Sequence, residues 1–367
     1  MKTNITICTL ATSLLLLFCN CEGNKGVDRL LALADSALIK SDYDLAEKYL
    51  LEYNGKEHSS SEAEKMYARL LNLQMADKTE VPLNDLLLTD SLIRYYDSHG
   101  DKCKYAQSLF LKGVSYYNQH DAPSALGYFQ QAISEAEREN NILLICWIYS
   151  RMGNLYRNQG LTEECISAYR KFYQYAQLSE VSLQKSSAAY CMSLAQTYLQ
   201  HVDSAILYKT EALKYAREIG HEDQVNIIAI SLADLYIQTE QYEKARQIMK
   251  RTPEYGINWA YYYLALNKLD SAAYYFNNVA ANAPNIYGAV EVERDLYVVE
   301  KKRHNIDSAF RHLEKHLTLN DSAQKVTKTR EVLQVRSLYD YNIINNEKEV
   351  AERKVEMARK TAVIATV

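Results

Sequence analysis

The sequence predicts an all-α fold, a solenoid of antiparallel helix pairs that ends in one long helix. Only 11 glycines and 4 prolines interrupt 367 residues, too few for the frequent turns that a sandwich or barrel requires. A small residue followed three positions on by tyrosine recurs at Gly113/Tyr116, Gly153/Tyr156, Ala195/Tyr198, Ala233/Tyr236 and Ala260/Tyr263, at intervals of roughly 27 to 42 residues. From Asp321 to Lys360 there is neither glycine nor proline, and Val326, Leu333, Leu338, Tyr341, Ile344, Val350 and Val355 return at helical intervals amid dense charge.

Composition bounds the function as well. With 48% hydrophobic and 24% charged residues the chain can bury a core, and its net charge of -4 speaks against a nucleic-acid partner. No Gly-x-Gly is present to cradle a phosphate, so neither a catalytic centre nor a cofactor is expected.

Residues 1–21 read as a signal peptide of lipoprotein type. Lys2 precedes the apolar run Leu10 to Phe18, which is shorter than the ~20 residues a membrane span needs. Cys21, or alternatively Cys19, stands at the end of this run, where bacterial lipoproteins carry their acyl chains. Each buried methylene contributes about 0.8 kcal/mol, so acylation would hold the chain on a membrane. Simple cleavage of the signal is the alternative.

Residues 27–98 read as two divergent helix pairs, marked by Asp35-Ser-Ala37 and by Asp42-Tyr-Asp-Leu-Ala46. Residues 99–318 form the solenoid proper. Here a second small residue follows each tyrosine, at Ala125, Cys165, Ala205, Ala245 and Ala272, and opens the second helix of the pair. The small residue of the first helix lets the second approach, the tyrosine fills the space beside it, and i, i+4, i+7 spacing gathers these residues in one stripe. One hairpin cannot bury both faces, so hairpins must stack. The recurrent Asp-Ser-Ala at Asp203, Asp270 and Asp307 is expected to cap the second helix of its pair, each cap contributing about 1 kcal/mol.

Residues 319–360 are expected to form the long helix, whose first part covers the end of the solenoid and whose later part could pair with a second copy. Residues 361–367, apolar from Ala362 to Ala365, read as the start of a truncated transmembrane helix; the alternative is a terminal segment packed on its own domain. Cys103, Cys146, Cys165 and Cys191 lack C-x-x-C spacing and read as buried thiols, with a disulfide between neighbouring repeats as the alternative and no metal site.

Residues 106 to 284 resemble the tetratricopeptide repeat. The likeness rests on Leu109, Gly113, Tyr116, Ala125, Phe129 and Ala132 in one unit and on Ala260, Tyr263, Ala272, Phe276 and Pro284 in another. It implies a right-handed superhelix with a concave face built from the first helix of each pair. On that face the sequence places Tyr117 and Asn118, then Asn154, Arg157 and Asn158, then Gln196 and Gln200, then Asp234 and Gln238, and finally Tyr261. Phe110 and Val114 are assigned to the same face. These amides and aromatics suit the backbone of an extended peptide or helix. The order signal, repeats, charged helix, apolar segment is similar to that of Bacteroidetes-type membrane-bound regulators. That resemblance implies a periplasmic, envelope-anchored sensor that binds a protein or peptide, without catalysis, ahead of an output module. A lipoprotein scaffold without signalling is the alternative.

Overall fold

Three-residue turns set the architecture. In the computed structural model, which describes residues 28–54, 60–79, 81–250, 256–282, 286–322, 353–355 and 357, seven successive helices have the same length of 17 residues. They are α5 (Lys102–Asn118), α6 (Ala122–Arg138), α7 (Ile142–Asn158), α8 (Thr162–Leu178), α9 (Ser182–Tyr198), α10 (Val202–Glu218) and α11 (Glu222–Gln238). With three-residue connections, every helix begins 20 residues after the last and every hairpin 40 residues after the last. The unit is therefore longer than the thirty-four-residue pattern that the sequence resembles.

The turns repeat as strictly as the helices. Their middle residue adopts a left-handed conformation at His120, Asn140, Gly160, Gln200, Gly220 and Glu240, with φ between 53° and 74°. The third residue sends its N–H back to the helix just ended, as from Asp121 to the Tyr116 carbonyl (3.0 Å) and from Gln241 to Tyr236 (2.7 Å), which satisfies carbonyls that would otherwise be left open. The turn at 179–181 is the exception, with Ser179 extended and its hydroxyl accepting from the Val181 N–H.

Before this regular region lie α1 (Arg29–Ile39), α2 (Tyr43–Asn54), α3 (Glu62–Lys78) and α4 (Leu86–His99). In this stretch α1 packs on α2, whereas α4 leans on α5 more than on α3. After it come α12 (Tyr242–Met249), α13 (Gly256–Ala265), α14 (Leu269–Ala281), α15 (Ile286–Lys302) and helical residues 306–322. The expected signal peptide with Cys19 and Cys21, residues 323–352 and the apolar segment 361–367 lie outside the described residues. Among those described, no helix is long and apolar enough to cross a membrane.

Close approach within the hairpins follows the expected chemistry. A Cβ at Gly113 would lie 2.6 Å from the Phe129 ring, and one at Gly153 would lie 2.3 Å from Tyr169. Phe129 and Tyr169 are fully buried, and the core is continuous from Leu31 to Tyr169. The next residue in this register, 40 positions on, is Lys209, and from Cys146 and Phe172 onward the core divides into smaller clusters.

Capping differs from expectation. Asp203 and Asp270 lie inside the first turns of α10 and α14, whose flanking residues His201 and Lys268 make no side-chain cap. Asp307 likewise falls inside helical residues 306–322. The three-residue turn puts each cap position two residues earlier, so these aspartates favour the helix dipole without capping, and Asp270 also pairs with Arg303 at 2.8 Å. Side-chain caps come instead from Asp28, Asp42, Ser61, Asp85, Asp101, Asp121, Asn141 and His221. Asp35 accepts from the Tyr67 hydroxyl at 2.6 Å, and burial pushes its pKa up against that bond.

Candidate polypeptide-binding groove

The odd-numbered helices form the inner side of the stack. Successive ones pack on each other from α1 to α9 and again between α11 and α13, whereas no two successive even-numbered helices are among the closely packed pairs. Equivalent inner positions therefore follow the 40-residue register: Trp147, Ser187 and Ile227; Ser150, Tyr190 and Ile230; Arg151, Cys191 and Ser231; Asn154, Leu194 and Asp234; Asn158, Tyr198 and Gln238.

The early part of this face is bridged. Asp77, at the end of α3, has a side chain only 1% exposed and accepts from Arg151 of α7 at 2.5 Å and from Lys78 at 3.2 Å. The Lys78 ammonium also sits 3.9 Å from the Trp147 ring centre. Burial draws the Lys78 pKa below the usual lysine range, and Asp77 opposes that shift. These contacts span from α3 to α7 over α5, and Phe110 and Val114 of α5 are buried. The expectation that those two line an open groove is thus corrected: the cross-repeat contacts and neighbouring helices take up their surface.

The later part is more open and more apolar. Tyr198 is 43% and Ile227 56% exposed, with Tyr190, Leu194, Ile230, Ile257 and Leu264 half-buried around them. Polar groups punctuate this surface. Asn258 of α13 donates to the Ile230 carbonyl of α11 at 3.2 Å, and its Oδ1 is buried without a partner. Lys209 reaches from α10 to the Ser231 carbonyl of α11 at 3.3 Å; burial lowers its pKa and Asp234 opposes the shift.

The residues picked from the sequence fall in several settings. Asn158 donates to the Tyr117 hydroxyl at 2.9 Å, joining α7 to α5, and Asn118 donates to the Leu83 carbonyl at 3.4 Å. Asn154 accepts from Tyr169 of its own hairpin at 2.8 Å, and Arg157 is exposed. Gln238 donates to Asp234 at 2.7 Å, and Tyr261 donates to Asp295 of α15 at 2.5 Å; burial and that carboxylate push the Tyr261 pKa up. Gln196 and Gln200 do not share the register of the others. Ser193, not Ala195, stands 40 residues after Gly153, so Gln196 matches the packing Tyr156 and pairs with His201 at 3.1 Å, while Gln200 is the left-handed residue of the turn.

Trp147, Arg151, Asp77 and Lys78 were not singled out from sequence. Counting 40 residues back and forward from Arg151 would have placed it on the inner face. His312 and His316, one helical turn apart, form a His-x-x-x-His pair, which corrects the expectation that the eight histidines offer none. The first meets Glu293 at 2.7 Å and the second the Val290 carbonyl at 3.0 Å. Among the described residues, no group of three or more His, Cys, Asp or Glu could hold a metal ion.

No family model and no curated protein matches this chain. Solved structures do. The apo form of RapI shares 12% identity over 88% of this chain and 98% of its own, with a TM-score of 0.59. A signal-transduction ATPase of Pyrococcus horikoshii with a tetratricopeptide repeat sensor shares 14% identity over 79% of this chain and 46% of its own, with a TM-score of 0.56. A tetratricopeptide repeat protein of Parabacteroides merdae shares 15% identity over 68% of this chain and 96% of its own, at a TM-score of 0.46. The described chain is thus an all-α solenoid of consecutive helix pairs with the tetratricopeptide-like fold.

Proposed function

We propose that the inner face between α9 and α13 holds a segment of another polypeptide, and that the chain is the extracytoplasmic sensor part of a membrane-bound bacterial regulator or kinase. The observation that carries the binding reading is the exposure of Tyr198 and Ile227 on the inner helices, with the hydrogen-bonding Asp234 and Gln238 on the same helix as Ile227. Large apolar residues presented with hydrogen-bonding neighbours suit a peptide that buries alternate side chains and pairs its backbone. The sensor reading draws support from the lipoprotein-like start and the charged helix with its apolar end, and the Pyrococcus protein uses a repeat array of this fold as a sensor.

A photo-crosslinking residue at Ile227, compared with one at the outward-facing, 66% exposed Leu207 of α10, tests the groove in envelope preparations. A discrete polypeptide should be trapped at 227, and Tyr198→Glu should abolish the product. Equal trapping at both positions, or a product insensitive to Tyr198→Glu, would rule out this face. Growth with radiolabelled palmitate tests the anchor: Cys21→Ser should lose the label, and label retained in the Cys19→Ser, Cys21→Ser double variant would dismiss acylation there.

A further inference from the structure

A second site lies away from the inner face, at the edge of the stack where the within-hairpin turns gather. The helix α12 runs for only 8 residues, where α6, α8 and α10 each run for 17. Between the turn at Glu240 and Gln241, this short helix and α13 there is an open cleft of about 880 Å³. Its size is within the range, ~300–1,000 Å³, of clefts that take small molecules.

Its apolar wall is aromatic and preorganised. Trp259 stacks on Tyr263 with ring centres 5.8 Å apart and meets Tyr262 edge to face at 5.6 Å. Tyr263 is backed in turn by Tyr275, stacked at 5.6 Å. Such a wall offers a fixed face to a flat ring.

The rim is cationic in a chain whose net charge is -4. Lys244, Arg246, Lys250 and Lys268 face two carboxylates, Glu240 and Glu243. The Arg246–Glu243 contact at 3.8 Å sets one cation against one acid, and Lys244 donates to a neutral acceptor, the Gln241 side-chain oxygen, at 2.8 Å. Positive charge thus exceeds negative beside an aromatic wall.

We propose that this pocket binds a small aromatic anion, with its ring against Trp259 and Tyr262 and its charge among Lys244, Lys250 and Lys268. The inference does not depend on the inner face, since no residue of that groove lines the pocket.

Two dyes sharing one ring framework test it on the full chain. Anilinonaphthalene sulfonate carries an anionic group and phenylnaphthylamine does not, so the sulfonate should bind at least tenfold tighter and lose affinity as salt rises. The surface double variant Lys250→Glu, Lys268→Glu should weaken the sulfonate about tenfold and leave the neutral dye unchanged. Trp259→Leu should weaken both, and the lysine variant decides the matter if that substitution unfolds the protein. Equal binding of the two dyes, or indifference to lysine reversal, overturns the proposal. So does displacement of the sulfonate by an Asp-Phe-Asp tripeptide but not by indole acetate, which would give the pocket to a peptide.

Discussion

Replacing Gly153 by alanine probes the closest contact in the stack. The added Cβ would lie 2.3 and 2.4 Å from two carbons of the Tyr169 ring, where ordinary carbon contacts are ~3.5–4.0 Å. The ring must therefore move by more than about 1 Å. It has little freedom to do so, because Tyr169 is 0% exposed and its hydroxyl is bonded to Asn154. Overpacking of this kind costs about 1–3 kcal/mol, and loss of the hydrogen bond about 1 kcal/mol more. Alanine returns about 1 kcal/mol of helix propensity, leaving a net loss of about 1–3 kcal/mol. Gly127→Ala in α6 is the control, because a Cβ there has nothing within 4 Å, and it should gain about 0.5–1 kcal/mol. Urea unfolding followed by circular dichroism reads both. A Gly153→Ala chain as stable as the parent would refute the close-approach argument. Adding Tyr169→Leu to Gly153→Ala should recover part of the loss.

Lys209→Met should stabilise the chain at pH 7, because a buried ammonium with one long bond to a neutral carbonyl gives way to an apolar chain of similar reach. Its folded pKa lies below the ordinary 10.5, so the unfolded chain holds more protons between those values and parent stability rises with pH through that window. The advantage of methionine, measured by urea unfolding, should therefore shrink as pH approaches 10.5; a constant advantage would argue against a charged Lys209. Asp77→Asn should cost about 3 kcal/mol by leaving Lys78 and Arg151 without their shared carboxylate, and a loss below measurement error would contradict the bridge. In thiol labelling of the folded chain, Cys146 should react after Cys103, since it is fully buried and burial pushes its thiol up to about 12; fast modification of Cys146 by mass spectrometry would contradict that burial.

How far the sequence carried the fold depended on which residues marked the repeat. Gly113 and Gly153, with Ala125, Cys165, Ala205 and Ala245 in the second helices, stand 40 residues apart and made the hairpins legible. Turn chemistry did not, because His120, Asn140, Gln200 and Glu240 occupy left-handed slots where glycine would have been the signal. At α9 the marker itself changed. Ser193 replaces the glycine, and the nearby Ala195/Tyr198 pair imitates the motif two residues late, which moved Gln196 and Gln200 onto a face they do not share. The Asp77–Arg151 bridge was not legible because its partners lie 74 residues apart and belong to alternate hairpins.

That bridge has a mechanical consequence. By tying α3 to α7 across α5, it makes three consecutive inner helices resist extension together, while the later hairpins, with their divided cores, can flex one against the next. Tension applied between the two ends would lengthen the later coils first and leave the early ones as a stiff mount.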